Sequence, residues 1–184
     1  MNRLASPSQL RASLIRWALF IVPTVMLLGF LSGQVSGSSA DSPWFQSLEK
    51  PALFPPPATF GIVWTVLYIM MGLAFAMVCA AWGSRLRRWA IIAFIVQLAI
   101  NLAWSPTFFA ARQIEQALWV IVALDVALIG TVVLFFKVRK WAGVLLLPYL
   151  AWALFATVLN WQFLEANPEA GQEEGSGAVQ RMEL

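Results

Sequence analysis

Five long apolar runs alternate with shorter polar segments along this chain, at residues 14–31, 60–82, 89–109, 117–136 and 141–164. Each is close to the roughly 20 mostly apolar residues that carry an α-helix across a bilayer. None shows the alternation over about ten residues that marks a membrane strand, which sets a β-barrel aside. The pattern predicts an all-α integral membrane bundle of five transmembrane helices, with short connections that make sequential helices neighbours. Around it the chain divides into an N-terminal segment at 1–13, the five-helix domain at 14–165 with a long loop at 33–58, and a tail at 166–184. The tail is rich in Glu, Gly and Ala without periodicity and reads as flexible.

Composition strengthens the membrane reading. Of 184 residues, 60% are hydrophobic and 11% charged, whereas a soluble domain carries about a quarter charged residues. A chain this short has too little interior to hide so much apolar surface from water. The first run is longer than the apolar core of about 7 to 15 residues in a signal peptide, so it reads as a retained span. A single cysteine, Cys79, excludes an intrachain disulfide, and the absence of histidine removes the commonest metal and haem-iron ligand. No metal site and no obligatory cofactor are expected.

Charge gives an orientation. Arg3, Arg11, Arg16, Arg85, Arg87, Arg88, Lys137, Arg139 and Lys140 fall on one side of a five-span topology, and only Lys50, Arg112 and Arg181 on the other. Counting Lys and Arg in this way places the N-terminus in the cytoplasm and the C-terminus outside. Asp41, Glu49, Glu115, Glu165, Glu169, Glu173, Glu174 and Glu183 share the side poor in Lys and Arg. The expected location is a bacterial cell membrane; an all-helical architecture disfavours the outer membrane without excluding it. The net charge of +3 resides in short juxtamembrane segments, where lipid headgroups account for it and no nucleic-acid partner is implied.

Within this frame a few polar and aromatic positions stand out. The segment 41–58 contains Pro43, Trp44, Phe45, Pro51, Phe54, Pro55, Pro56 and Pro57, a stiff, aromatic stretch that fits either a lid over a ligand cavity or an ordinary interfacial linker. It follows a Gly- and Ser-rich stretch at 33–40, expected to be a mobile exit from the first helix. Trp64, Tyr68 and Gly72 recur at four-residue spacing and share one helix face, with Gly72, Ala76 and Ala80 forming a small-residue packing seam. Gln97, Asn101 and Ser105, near Trp104, are expected to face the bundle interior, because carboxamides in hydrocarbon are costly unless bonded. Ala99 and Ala103 form a second small-residue pair, open to a neighbouring helix or a second copy. Pro106 is expected to perturb the end of that helix. Asp125 is the one acid well inside a span; it reads either as a structural hydrogen-bonding group or as a polar switch serving transport or ligand binding. Trp152, Ala156 and Asn160 share a face of the last span, the small Ala156 leaving space between larger groups. Convergence of the second, third and fifth spans brings Trp64, Tyr68, Asn101, Trp104, Trp152 and Asn160 around one cavity, suited to a large flat apolar molecule with a polar edge.

These residues carry a family resemblance. The pieces are Trp44-Phe45-x-x-Leu48-x-Lys50-Pro51, Pro55-Pro56, Phe60-x-x-x-Trp64-x-x-Leu67-Tyr68-x-x-Met71-Gly72, Gln97-x-x-x-Asn101-x-x-Trp104-x-Pro106-x-Phe108-Phe109 and Pro148-Tyr149-x-x-Trp152-x-x-Phe155-Ala156-x-x-Leu159-Asn160. In order and spacing, over 44–160, the chain resembles the tryptophan-rich sensory protein or translocator protein family (TspO/MBR, the peripheral-type benzodiazepine receptors). The resemblance implies a five-helix membrane protein that binds porphyrins and, in many members, sterols or benzodiazepine-type ligands beneath the first loop, commonly as a homodimer. It implicates Trp64 and Trp152 in tetrapyrrole chemistry and places Trp44, Tyr68, Asn101, Trp104, Ala156 and Asn160 at the ligand site. A cholesterol-recognition segment would fall near 158–165, but Trp161 stands at its Tyr position and Glu165 at its basic position, which counts against sterol binding by that route.

Three functions follow as alternatives. The leading one is a sensory or regulatory protein that binds a protoporphyrin-like tetrapyrrole, whose carboxylates would meet Lys50, Arg112 or indole donors. A second is light-dependent porphyrin degradation; the sequence offers no acid–base dyad, nucleophile or metal cluster, so the porphyrin itself would be the photosensitiser, and enzymatic activity is left open. A third is transport of porphyrin or sterol, for which Asp125 is the single hint and no internal repeat speaks.

Overall fold

A computed structural model of the chain describes residues 6–170. Arg3, Arg181 and most of the acidic tail, including Glu173, Glu174 and Glu183, lie outside the described residues. The described chain is all-α: α1 (Pro7–Val35), α2 (Pro43–Ser47), α3 (Pro57–Cys79), α4 (Arg87–Ser105), which continues into a π-helical turn at Pro106–Ala110, α5 (Ile114–Val138) and α6 (Lys140–Ala166). Five of these helices are long and apolar enough to cross a membrane, as the five apolar runs predict. The short α2 lies within the loop that precedes α3.

The helix ends show why the elements begin and stop where they do. α1 reaches back to Pro7 because Ser6 and Gln9 form a capping box: Gln9 N donates to Ser6 Oγ at 3.3 Å and Ser6 N donates to Gln9 Oε1 at 2.9 Å. At the other end α1 runs straight through Gly33. It stops at Gly37, whose φ of 63° opens a Schellman motif in which Ser38 N donates to Gly33 O and Gly37 N to Gln34 O. The expected mobile exit at 33–40 is thus helix up to Val35 and a hydrogen-bonded turn thereafter.

Around the bundle the helices follow the order α1, α3, α6, α5, α4, with α4 closing back on α1. The expectation that sequential spans are neighbours holds for three of the four steps. The exception is α3, which sits between α1 and α6 and meets α4 across the interior, where Phe75 stacks on Phe94 at 4.0 Å. Small residues permit this arrangement. A Cβ on Gly72 would stand 2.8 Å from the Cα of Val22 in α1, so only glycine allows that approach. Gly143 likewise lies against the ring of Phe136 at the tight α5–α6 connection.

The interior core combines Met71, Phe94, Leu128, Phe135, Leu146 and Tyr149, all fully buried. The outward faces are apolar too: Leu19, Phe20, Phe30, Ile62 and Val126 are each more than 60% exposed. Such a surface is untenable in water and correct in lipid. Exposed Trp82, Trp89 and Trp141 cluster near one end of the bundle and exposed Trp119 and Trp161 near the other, as the two interfacial belts of a spanning protein.

Candidate functional site

A cavity of about 1390 Å³ opens between α1, α3, α4, α5 and α6, beneath the 36–56 loop. Its walls include Trp64, Tyr68, Asn101, Trp104, Trp152, Ala156 and Asn160. The helices carry these side chains there by simple periodicity, since residues four apart return to the same face. Trp64 stacks on Tyr68 with ring centroids 5.3 Å apart, and Trp152 meets Phe60 edge-on at 5.8 Å. Trp104 stacks on Phe108 at 5.2 Å. Ala156, between Trp152 and Asn160, is the small residue that leaves room along α6.

The loop over the mouth is held in three ways. Phe45 of α2 lies 5.5 to 5.8 Å from the rings of Phe54, Phe109 and Phe163, an aromatic cluster that joins loop to bundle. Lys50 Nζ donates to the carbonyls of Phe45, Gln46 and Leu48 at 2.7, 2.8 and 2.9 Å, which satisfies the C-terminal end of α2. Asn167, at the end of α6, clasps Glu49 reciprocally: Glu49 N donates to Asn167 Oδ1 at 2.8 Å and Asn167 Nδ2 donates to Glu49 O at 2.9 Å.

Most polar groups at the cavity satisfy one another. Tyr68 donates its hydroxyl to Asn101 Oδ1 at 3.1 Å, and Trp104 Nε1 donates to Asn160 Oδ1 at 3.0 Å. Asn160 Nδ2 in turn donates to the carbonyl of Ile114 at 3.0 Å. Beyond the cavity wall, buried Tyr149 donates to Gln97 Oε1 at 3.1 Å, which accounts for the expected inward position of Gln97. Two buried donors here have no hydrogen-bond partner, Gln97 Nε2 and, at the cavity, Trp152 Nε1. A buried indole N–H costs on the order of 1 to 3 kcal/mol when it is left without an acceptor.

Over residues 20–165 the chain matches the family model described as the TspO/MBR family. The chain belongs to this family. It is 38% identical over 130 residues to the tryptophan-rich sensory protein of Cereibacter sphaeroides, covering 69% of this chain and 80% of that one. It is 39% identical over 126 residues to the tryptophan-rich protein TspO of Chlorobaculum tepidum, covering 68% and 80%. Similarity extends to the human translocator protein, 38% identical over 121 residues, covering 64% of this chain and 71% of that protein.

In this TspO/MBR chain two of the residues singled out from sequence stand away from the cavity wall. Trp44, in α2, packs edge-on against Phe108 at 5.7 Å and so supports a wall residue from behind. Asp125 is buried between α5 and α6, where Thr157 Oγ1 donates to its Oδ2 at 2.7 Å. Its other oxygen has no partner. Asp125 thus makes an interhelical hydrogen bond from α5 to α6. Lys50, one of the expected carboxylate partners, has its ammonium turned onto loop carbonyls.

Sequence reasoning missed the contribution of α1. Met26, Gly29, Ser32 and Gly33 line the cavity from that helix, and Ile121 and Leu124 from α5. Gly29 is the critical one, because a Cβ there would collide with the ring of Tyr68. Its signal was available only in retrospect: Gly29 and Gly33 are spaced four apart in an otherwise bulky run.

Proposed function

We propose that this protein binds a protoporphyrin-like tetrapyrrole in the cavity between its helices and acts as a membrane sensory or regulatory protein. The observation that carries the reading is the combination of size and lining: about 1390 Å³, above the roughly 300 to 1,000 Å³ usual for drug-sized ligands, walled by three tryptophans and a tyrosine. A flat macrocycle offers extended π-faces against which the rings of Trp64 and Trp152 can pack. The proline-rich loop acts as the lid of this site. The related protein of Cereibacter sphaeroides is named a tryptophan-rich sensory protein, in keeping with the reading.

The deciding experiment is a tryptophan-fluorescence titration with protoporphyrin in detergent. Replacement of both Trp64 and Trp152 by Phe weakens binding by at least tenfold; an unchanged affinity would overturn the proposed site.

One further feature favours a light-dependent degradative activity as the second reading. Trp64 contacts two phenols, Tyr68 at 5.3 Å and Tyr149 at 6.3 Å between centroids, an aromatic chain along which an oxidised tryptophan can be refilled. Photobleaching of free porphyrin at the same rate as porphyrin bound to the protein would remove this reading. Transport has less support, since Asp125 stands outside the cavity lining.

The protein is read as sitting in a bacterial cell membrane with its basic end, Arg11, Arg16, Arg85, Arg87, Arg88, Lys137, Arg139 and Lys140, in the cytoplasm. Homodimer formation is supported by Ala99 and Ala103, which are exposed on the outer face of α4 and permit close approach of a second copy.

A further inference from the structure

A second, smaller recess of about 410 Å³ lies at the basic end of the bundle, remote from the large cavity, and is lined by Ser13, Arg16, Trp17, Phe20 and Trp82. Its composition is unusual for a lipid-facing surface: one guanidinium and one hydroxyl set among three aromatic side chains. The aromatic wall is also held in place. Arg87 lies over the Trp82 ring with its guanidinium carbon 4.1 Å from the centroid, and its Nε and Nη2 both donate to the carbonyl of Cys79, at 3.0 and 2.8 Å. That carbonyl belongs to the last turn of α3, so a single arginine satisfies the helix end and orients the indole that flanks the recess.

Among the described residues, the segments that form this end carry basic side chains and no acidic ones. No acidic residue precedes Asp41, and none occurs at 80–88 or 137–141, whereas Arg16 shares this end with seven other described cations. Trp82 and Phe20, 66% and 69% exposed, add apolar walls at membrane-interface height, where an inorganic anion gains nothing from them and an amphiphile does.

We propose that this recess is a binding site for one anionic phospholipid. The phosphate accepts hydrogen bonds from the Arg16 guanidinium and the Ser13 hydroxyl, and the first carbons of the acyl chain lie against Trp17 and Phe20. Arginine suits this role because its planar fork meets phosphate oxygens bidentately and its charge is permanent. Trp82, fixed by Arg87, closes the side of the site without being consumed by it.

Native mass spectrometry of the full chain in detergent, titrated with phosphatidylglycerol or phosphatidylcholine, tests the site. The wild type retains one phosphatidylglycerol in preference to phosphatidylcholine. Arg16→Gln weakens phosphatidylglycerol retention by roughly fivefold, as expected for one interfacial cation near an anionic lipid, while Lys140→Gln, at the same end but outside the recess, changes it much less. Trp82→Ala, at an exposed position, tests the aromatic wall independently and lowers retention of both lipids. Equal effects of Arg16→Gln and Lys140→Gln would overturn the proposal, reducing it to diffuse attraction. Displacement of the lipid by an equal concentration of inorganic phosphate would overturn it too, by showing a phosphate site that makes no use of the acyl chain.

Discussion

Ser32 of α1 donates its hydroxyl proton to the carbonyl oxygen of Leu102 in α4 at 2.7 Å. Leu102 stands four residues before Pro106, so its carbonyl is the one that the proline, having no N–H, leaves without a helical donor. A hydroxyl from a neighbouring helix fills that vacancy, beside the cavity that both helices line. The kink expected of Pro106 is expressed as the π-helical turn at Pro106–Ala110, and its unmet hydrogen bond ties α1 to α4.

This relationship makes a paired prediction. Ser32→Ala lowers stability by about 1 kcal/mol, the usual net worth of such a bond, measured by thermal unfolding in detergent. In a Pro106→Ala background the helix supplies its own donor to Leu102, and the cost of Ser32→Ala falls by at least half. Additive effects of the two substitutions would show that the proline and the serine act separately.

Gly29 and Gly72 separate ligand binding from bundle stability. Gly29→Ala drives a methyl group into the Tyr68 ring, which displaces Tyr68 from Asn101 and from its stack on Trp64. Porphyrin affinity then falls by severalfold with a modest change in melting temperature. Gly72→Ala presses on the backbone of α1 at Val22, which cannot yield as a side-chain tip does. It costs about 1 to 3 kcal/mol of stability, and calorimetry or scanning fluorimetry in detergent distinguishes the two outcomes.

Asp125→Asn keeps an oxygen acceptor for Thr157 and is expected to retain stability within about 0.5 kcal/mol and porphyrin affinity within twofold. Asp125→Leu removes the acceptor. Thr157 retains its contact with the Ala153 carbonyl at 3.1 Å, so the loss stays near 1 kcal/mol. A large loss of ligand affinity in Asp125→Asn would instead restore the residue to the functional site.

Asn167→Ala cuts both hydrogen bonds of the Glu49 clasp. The expected result is faster amide hydrogen exchange across residues 45–54 and faster porphyrin dissociation, with little change in exchange for the core of α5. Unchanged dissociation with faster exchange would show that the loop opens without controlling the ligand.

Much of this protein is legible one dimension at a time. The length and continuity of the apolar runs determine the spans, because lipid admits only backbones that satisfy their own hydrogen bonds. Four-residue spacing determines that Trp64 and Tyr68, or Trp152, Ala156 and Asn160, share a face. The motif spacing from Trp44 to Asn160 carries the family, which the 20–165 match establishes.

What spacing along one chain leaves open is which faces meet. In a membrane the helices are apolar on most of their surface, so outside a few polar positions such as Gln97 and Asn101 the hydrophobic pattern does not tell an inner face from an outer one. Close packing decides it: Gly72 against Val22 sets α3 beside α1, and α3 then reaches α4 only across the interior. For the same reason the polar groups that seemed available to a ligand were partly spent on one another, Trp104 on Asn160 and Tyr68 on Asn101, while Lys50 was drawn onto three loop carbonyls. The sequence by itself determined the spans, the faces and the family. Only the tertiary structure decided that Trp152 alone among the cavity's indoles is buried with an unpartnered N–H, because hydrogen bonds between residues dozens of positions apart depend on how the helices pack.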